Sequence, residues 1–256
     1  MSISVKNADD RLRDIVTRTH LFAQWPAALI DRLLVGAELR RYTDGEVAVQ
    51  FREVSPYLCI VARGCFVCRH PREDDEPVIA DFIMPGQATS YLAALDGFPA
   101  VFDTVASGES ELIFIRRASL MEALAADPSR YQDIVAMLCR RLRREYENTF
   151  MRTANSVRCQ LARVILYWAR GQSGKGARII GISQEDIAAM LGKSRPTINK
   201  EIGVLIAEGV LARSYRQIQI LNMQALVDIV ERENPGTLKL NEPIFGKPSG
   251  VITTSD

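Results

Sequence analysis

From the Asp127-Pro128 pair to about Arg152 the chain runs on without a glycine or another proline, and it sets Tyr131, Val135, Leu138 and Leu142 at alternating spacings of four and three. Proline is accepted in the first turn of a helix because its missing N–H has no intrahelical partner there. One long helix is therefore expected, and it divides the chain into parts of different character. A 4-3 stripe is the seam that a partner helix fits. The competing reading packs the stripe on this chain's own preceding domain, and the spacing favours the two-chain seam.

Ahead of the long helix, from about Leu39 to Ile115, short β-like runs alternate with turn residues in "TDGEV", "MPGQ" and "LDGFP". "YLCIVARGCFVCRH" reads as a strand, a turn at Arg63-Gly64 and a second strand. This is the pattern of an all-β sandwich or barrel. Earlier still, "HLFAQWPAALIDRLLVGAEL" has the spacing of short helices, and "ASLMEALAAD" supplies another just before Asp127.

Beyond the long helix the pattern stays helical. "SVRCQLARVILYWARG" places Val157, Leu161, Val164, Ile165 and Trp168 on one side and ends at Gly171. The "GQSGKG" that follows lacks the glycine spacing and the Lys-Ser/Thr pair of a phosphate-binding loop, and no strand precedes it. Ser183 and Asp186 form a capping box with Asp in place of Glu, opening a helix that buries Ile187, Ala188 and Leu191. Gly192 breaks it, and a second helix runs from about Arg195 to Glu208. "GVLARSYRQIQIL" reads as a hairpin, "NMQALVDIVERE" as a last helix, and residues 234–256 as a flexible tail.

Two helices joined by a short glycine-containing turn and followed by a hairpin make a winged helix-turn-helix, whose second helix enters the DNA major groove. A helical wheel from Arg195 puts Ile198, Ile202, Leu205 and Ile206 inward. Pro196, Thr197, Lys200, Gly203 and Val204 face outward, with Asn199 on the shoulder. That outer side is small and polar with one cation, as close approach to base edges requires. Ser194 can cap the helix and leave backbone N–H groups facing a phosphate.

The net charge of +1 would argue against nucleic acid were the charge evenly spread, but "PREDDEP" at 71–77 is acidic while residues 139–163 are strongly basic. Five scattered cysteines make no disulfide framework, which implies reduced thiols. No apolar run approaches the roughly 18 residues needed to span a bilayer, and no signal-peptide core is present, so a cytoplasmic protein with no membrane partner is expected. The chain has only two histidines, His20 and His70, far apart. A His/Glu metal cluster of the kind a β-barrel enzyme uses is therefore not expected, nor is enzymatic activity.

The segment "ISQEDIAAMLGKSRPTINKEIGVLIAEGVL" at 182–211 resembles the helix-turn-helix of the CRP/FNR family of bacterial transcription regulators. The glycines of "DGE", "ARGC" and "MPGQ" fall where that family's β-roll turns do, and the long helix where its dimerisation helix does. The resemblance implies an α+β architecture. Residues 1–118 would hold N-terminal helices and an effector β-roll, a cyclic-nucleotide-binding-like jelly roll, and 119–153 a short helix and the dimerisation helix. Residues 154–233 would form a C-terminal winged helix-turn-helix, and 234–256 the tail. It further implies a homodimer on double-stranded DNA through Tyr131, Val135, Leu138 and Leu142, with RNA polymerase as a further partner for an activator.

Carried over position by position, Ser194 and Thr197 match phosphate-contacting residues. Arg195, Asn199 and Lys200 match positions facing bases or nearby backbone, and Ser183 and Gln184 match backbone contacts from the first helix. Pro196 departs from the best-known members, which carry a base-reading glutamate there. The effector motif departs further. Where cyclic-nucleotide-binding members have Gly-Glu-Leu and Arg-Ser/Thr-Ala, this chain has Ser90-Tyr91-Leu92 and Ala100-Val101-Phe102, so a buried cyclic phosphate would find no cation. The N-terminal cysteines of the iron–sulfur members are missing. Cys65 and Cys68 point to opposite faces of a strand, and Cys68-Arg69-His70 lies away from the haem-ligand position of the haem-binding relatives. No cofactor is expected, with haem the one left open. The competing class is a small-molecule-binding or interaction β-roll carrying a vestigial winged helix.

Overall fold

The computed structural model describes residues 5–72, 77–171, 179–180, 183–214 and 217–235. The expected tail, apart from its first two residues, and the "QSGKG" segment after Gly171 lie outside the described residues. The chain divides into two compact units, residues 1–139 with 188–194 and residues 140–187 with 195–256.

The first unit is built on an antiparallel sheet of β1 (Glu38–Tyr42), β2 (Val47–Val49), β3 (Tyr57–His70), β4 (Val78–Ile83), β5 (Ala88–Thr89) and β6 (Asp103–Arg116). The strand order is β1-β6-β3-β4, with β2 on β6 and β5 on β3. In β3 the run Leu58–Val61 is buried throughout because the sheet is covered on both faces. Leu58 and Ile60 join Ile113 and Ile115 of β6 against helices, while Cys59 and Val61 join Leu112 and Phe114 in the interior of the roll. The helical layer consists of α1 (Val5–Arg18), α2 (Ala27–Leu33) and α4 (Arg117–Ala126), with α3 (Tyr91–Asp96) between β5 and β6.

One expectation for this unit needs correction. Arg63-Gly64 is not a hairpin turn: β3 is one strand whose two halves both pair with β6, and the register slips on either side of Arg63. The glycine serves a bulge instead. Gly64 has φ +77°, and a Cβ there would lie 2.2 Å from Ser110 Oγ and 2.6 Å from the Glu109 carbonyl oxygen. The residues before His20 also fold, as α1, which inserts Leu12 and Val16 into the helical-side core and forms ion pairs from Arg11 to Glu111 and Arg13 to Asp31. The buried Glu111 carboxylate also pairs with Arg41 Nε at 3.2 Å.

The long helix begins with a 3₁₀ turn, Pro128–Arg130, whose first amides are capped by Asp127 through Ser129 N–H at 3.1 Å. It continues as α5 (Tyr131–Ala154). Ile134 and Met137 are buried in the helical-side core, and Asp133 accepts a 3.0 Å hydrogen bond from Trp25 Nε1. The expected stripe divides in an informative way. Leu138 packs partly on this core, whereas Tyr131, Val135 and Leu142 are 47%, 56% and 52% exposed, and Tyr146 extends the exposed line at 67%.

The second unit contains α6 (Val157–Gly171), α7 (Gln184–Leu191, whose last four residues cluster with the first unit), α8 (Arg195–Ala207) and α9 (Met223–Glu233). A small sheet of order β7-β9-β8 is formed by Ile179–Ile180, Gln217–Ile220 and Leu211–Ser214. The hairpin β8–β9 is the expected wing, and β7 adds a third strand too short to be read from two isoleucines. The core gathers Leu161, Ile165, Ile202, Leu205, Leu211, Ile220, Leu226 and Val230, all at most 1% exposed. Asn222 caps α9 through Ala225 N–H at 3.0 Å.

Candidate nucleic-acid interface

Helix α7 starts as its sequence requires. The Asp186 N–H donates to Ser183 Oγ at 3.0 Å, and Ser183 Oγ donates to the Asp186 carboxylate at 2.7 Å. Its hydroxyl proton is thus directed to Asp186. The helix closes on Gly192 at φ +62°, with Lys193 N–H bonding the Ala188 carbonyl at 3.0 Å and Gly192 N–H the Ala189 carbonyl at 3.4 Å. That pair of reversed bonds satisfies the last carbonyls and turns the chain sharply toward α8. Of the three residues expected to be buried by α7, Ile187 and Ala188 are buried; Leu191 is only half-buried because it lies at the turn.

Helix α8 ends by the same device, with Val210 N–H on the Leu205 carbonyl at 2.9 Å and Gly209 N–H on the Ile206 carbonyl at 3.0 Å. Ile198, Ile202 and Leu205 are its buried side. Arg195, Pro196 and Lys200 are exposed, and Thr197, Asn199, Gly203 and Val204 are half-buried around them. Ser194 is exposed directly ahead of the helix, Ser183 is exposed, and Gln184 is half-buried in the first turn of α7. At the far end, Arg158 of α6 holds Glu208 with Nη1 to Oε1 at 2.9 Å, and that guanidinium keeps the Glu208 carboxyl below its usual range. The outer side of α8 therefore offers two cations, an amide and a hydroxyl over a rigid apolar base.

The β-roll carries a different kind of site. Two of its buried residues are rings that meet half-buried tyrosines: Tyr42 meets Phe66 edge-on at 5.6 Å, Tyr57 meets Phe114 at 5.5 Å, and the Arg40 guanidinium lies 4.3 Å from the Phe114 centroid. Ser90 stands in the left-handed region at φ +56° just before α3. Ala100 is buried, its N–H donating to the Glu53 carbonyl and its carbonyl accepting from Arg52 N–H, each at 2.8 Å. Burial pushes the Cys59 thiol up to about 12, against the opposing pull of a Ser90 hydrogen bond and of Arg40. Cys68 Sγ lies 3.8 Å from Thr89 Oγ1. All five cysteines are free thiols.

A ring-packed antiparallel roll, a long helix and a winged helix-turn-helix define a class of transcription regulators. The comparisons give that class its family. Residues 39–127 match the cyclic nucleotide-binding domain and residues 159–229 the Crp-like helix-turn-helix domain. The chain belongs to the CRP/FNR family, and every residue singled out on α7 and α8 falls inside the second match. The transcriptional regulator SdrP of Thermus thermophilus is 24% identical over 113 residues, which are 43% of this chain and 56% of that protein's length. Among solved structures, FixK2 of Bradyrhizobium japonicum has the same fold at a TM-score of 0.68 and 21% identity, over 75% of this chain and 96% of that one. The c-di-GMP-responsive global regulator CLP of Xanthomonas campestris has a TM-score of 0.63 at 18% identity, over 76% and 99% of the two chains.

Proposed function

We propose that this chain is a sequence-specific DNA-binding transcription regulator. It acts in the cytoplasm as a homodimer on a palindromic operator and is governed through the β-roll by an effector other than a cyclic nucleotide. The observation that carries the DNA reading is the two-sided build of α8: three fully buried aliphatic residues fix it to its unit, while Arg195 and Lys200 are exposed and Thr197 and Asn199 half-buried on the rest of its surface. Phosphate contacts orient such a helix and base contacts give it sequence preference. Asn199 suits the paired donor and acceptor of adenine, and the cations suit guanine. Ser183, its proton directed to Asp186, serves chiefly as the cap of α7 and leaves phosphate contact to Gln184, Ser194 and Thr197. RNA polymerase is the further partner of an activator of this kind.

The effector reading rests on the roll. Tyr91 and the segment Ala100–Phe102 stand where the family resemblance puts a ribose-binding carboxylate and a phosphate-binding arginine. A buried cyclic phosphate left without a cation is disfavoured by several kcal/mol, on the order of the cost of any unpaired buried charge. Neither a haem nor a metal enters this reading.

The test is a binding selection on randomised duplexes with wild type, Asn199→Ala and Thr197→Ala, at two salt concentrations. Asn199→Ala should relax preference at one symmetric base pair by roughly 1–3 kcal/mol. Thr197→Ala should weaken all sequences about equally. An unchanged motif for Asn199→Ala together with an altered one for Thr197→Ala would mean that the reading side of α8 is misassigned.

A further inference from the structure

The outer side of α8 is notable for what it lacks. At 3.6 residues per turn, the direction opposite Ile198, Ile202 and Leu205 is taken by Pro196, Lys200, Gly203 and Ala207. Lys200 is the one long side chain in that row, and its second half carries only Gly203 and Ala207, with half-buried Val204 at its flank. Gly203 sits inside the helix, away from either end, and is not among the residues with positive φ. A Cβ built on it meets no atom within 4 Å. Nothing in the fold therefore asks for glycine here, although glycine is the least favourable helix-interior residue after proline because it loses the most backbone freedom.

We infer that Gly203 is a clearance residue for DNA, a further determinant of specific binding that rests on the reading of α8 as the recognition helix. A helix with its side chains is about 10–12 Å across, and the major groove of B-DNA is about 12 Å wide. The fit has little slack. A side chain in the outermost row holds the helix axis away from the groove floor and lifts the shorter Asn199 and Thr197 off their partners, while flexible Lys200 can still reach. Backbone-only binding to unrelated DNA keeps the helix farther out and tolerates the added atoms. Gly203 therefore contributes to the ratio of specific to non-specific affinity more than to affinity alone.

The test compares wild type, Gly203→Ala, Gly203→Leu and Lys200→Ala on two duplexes: one carrying the motif that the wild type selects from a random pool, and one of unrelated sequence. Gly203→Ala should raise the melting temperature of the free protein by about 2–4 °C, since alanine restores helix propensity in open space. It should weaken binding to the selected motif about threefold or more, and Gly203→Leu by at least about tenfold, with much smaller losses on the unrelated duplex. A lowered melting temperature for Gly203→Ala would show that the fold itself needs the glycine, and this overturns the inference. So does undiminished motif binding by both Gly203 variants while Lys200→Ala weakens it, an outcome that leaves the recognition helix in place. A wild type that selects no motif, or a Lys200→Ala variant that binds like wild type, instead overturns the reading of α8 on which the inference stands.

Discussion

Cys59 and Cys139 show what one residue's surroundings decide. Cys59 is wholly buried inside the roll and Cys139 is exposed on α5. The Cys59 thiol is raised from 9.0 to about 12, so the folded state holds a proton that the unfolded chain releases above its ordinary value. Its contribution to stability is complete below pH 9 and declines as pH rises from about 9 toward about 12. Iodoacetamide at pH 8.5 should accordingly modify Cys139 in the native protein and reach Cys59 only on unfolding, as mass spectrometry of digested protein will show. Prompt native labelling of Cys59 would mean that the roll opens locally. The sequence identified these thiols as reduced and unpaired, but which of them is enclosed depends on pairing between strands far apart in the chain. The same holds for Glu111, whose burial and two arginine partners arise from α1, β1 and β6 meeting.

Elements ending in local chemistry were the most legible. Ser183 and Asp186, Gly192 and Pro128 each act within a few residues of themselves, and each marks a helix end seen in the structure. Ser183→Ala should therefore destabilise the second unit by about 1 kcal/mol, seen as a lower thermal midpoint, because two reciprocal bonds at the start of α7 vanish. If the stability stays within about 0.3 kcal/mol of wild type, the cap is not holding the helix. Less legible were elements whose meaning depends on partners. The Arg63-Gly64 pair has the composition of a turn, and only the close approach of Glu109 and Ser110 from β6 reveals a bulge. Helix α1 was hidden by its many charges, although Leu12, Ile15 and Val16 carry the helical spacing. The positions on α8 could be ranked inner or outer from the wheel, but the open space around Gly203 needed coordinates.

At the scale of the whole molecule, the exposed line on α5 bears on assembly. Tyr131, Val135, Leu142 and Tyr146 are all near half or more exposed, while Ile134 and Met137 on the other side are already buried by the chain itself. A helix with one apolar side satisfied and a second at coiled-coil spacing left open is suited to pair with its own copy about a two-fold axis. Such pairing would give the proposed dimer two recognition helices for half-sites about 34 Å apart, and loss of the seam would remove half the phosphate contacts at once. Leu138 is a poor place to test this, because its side chain also packs on the helical-side core and a charge there would harm the protomer. The double variant Val135→Glu with Leu142→Glu touches the open line alone. It should sediment as a folded monomer with unchanged helical circular dichroism, and bind a palindromic site at least about tenfold more weakly than wild type at equal salt. Cys139, beside that line, should be alkylated faster in the variant than in the wild type. A variant that remains dimeric places the seam elsewhere, and a monomer that binds the palindrome with full affinity removes the need for a dimer altogether.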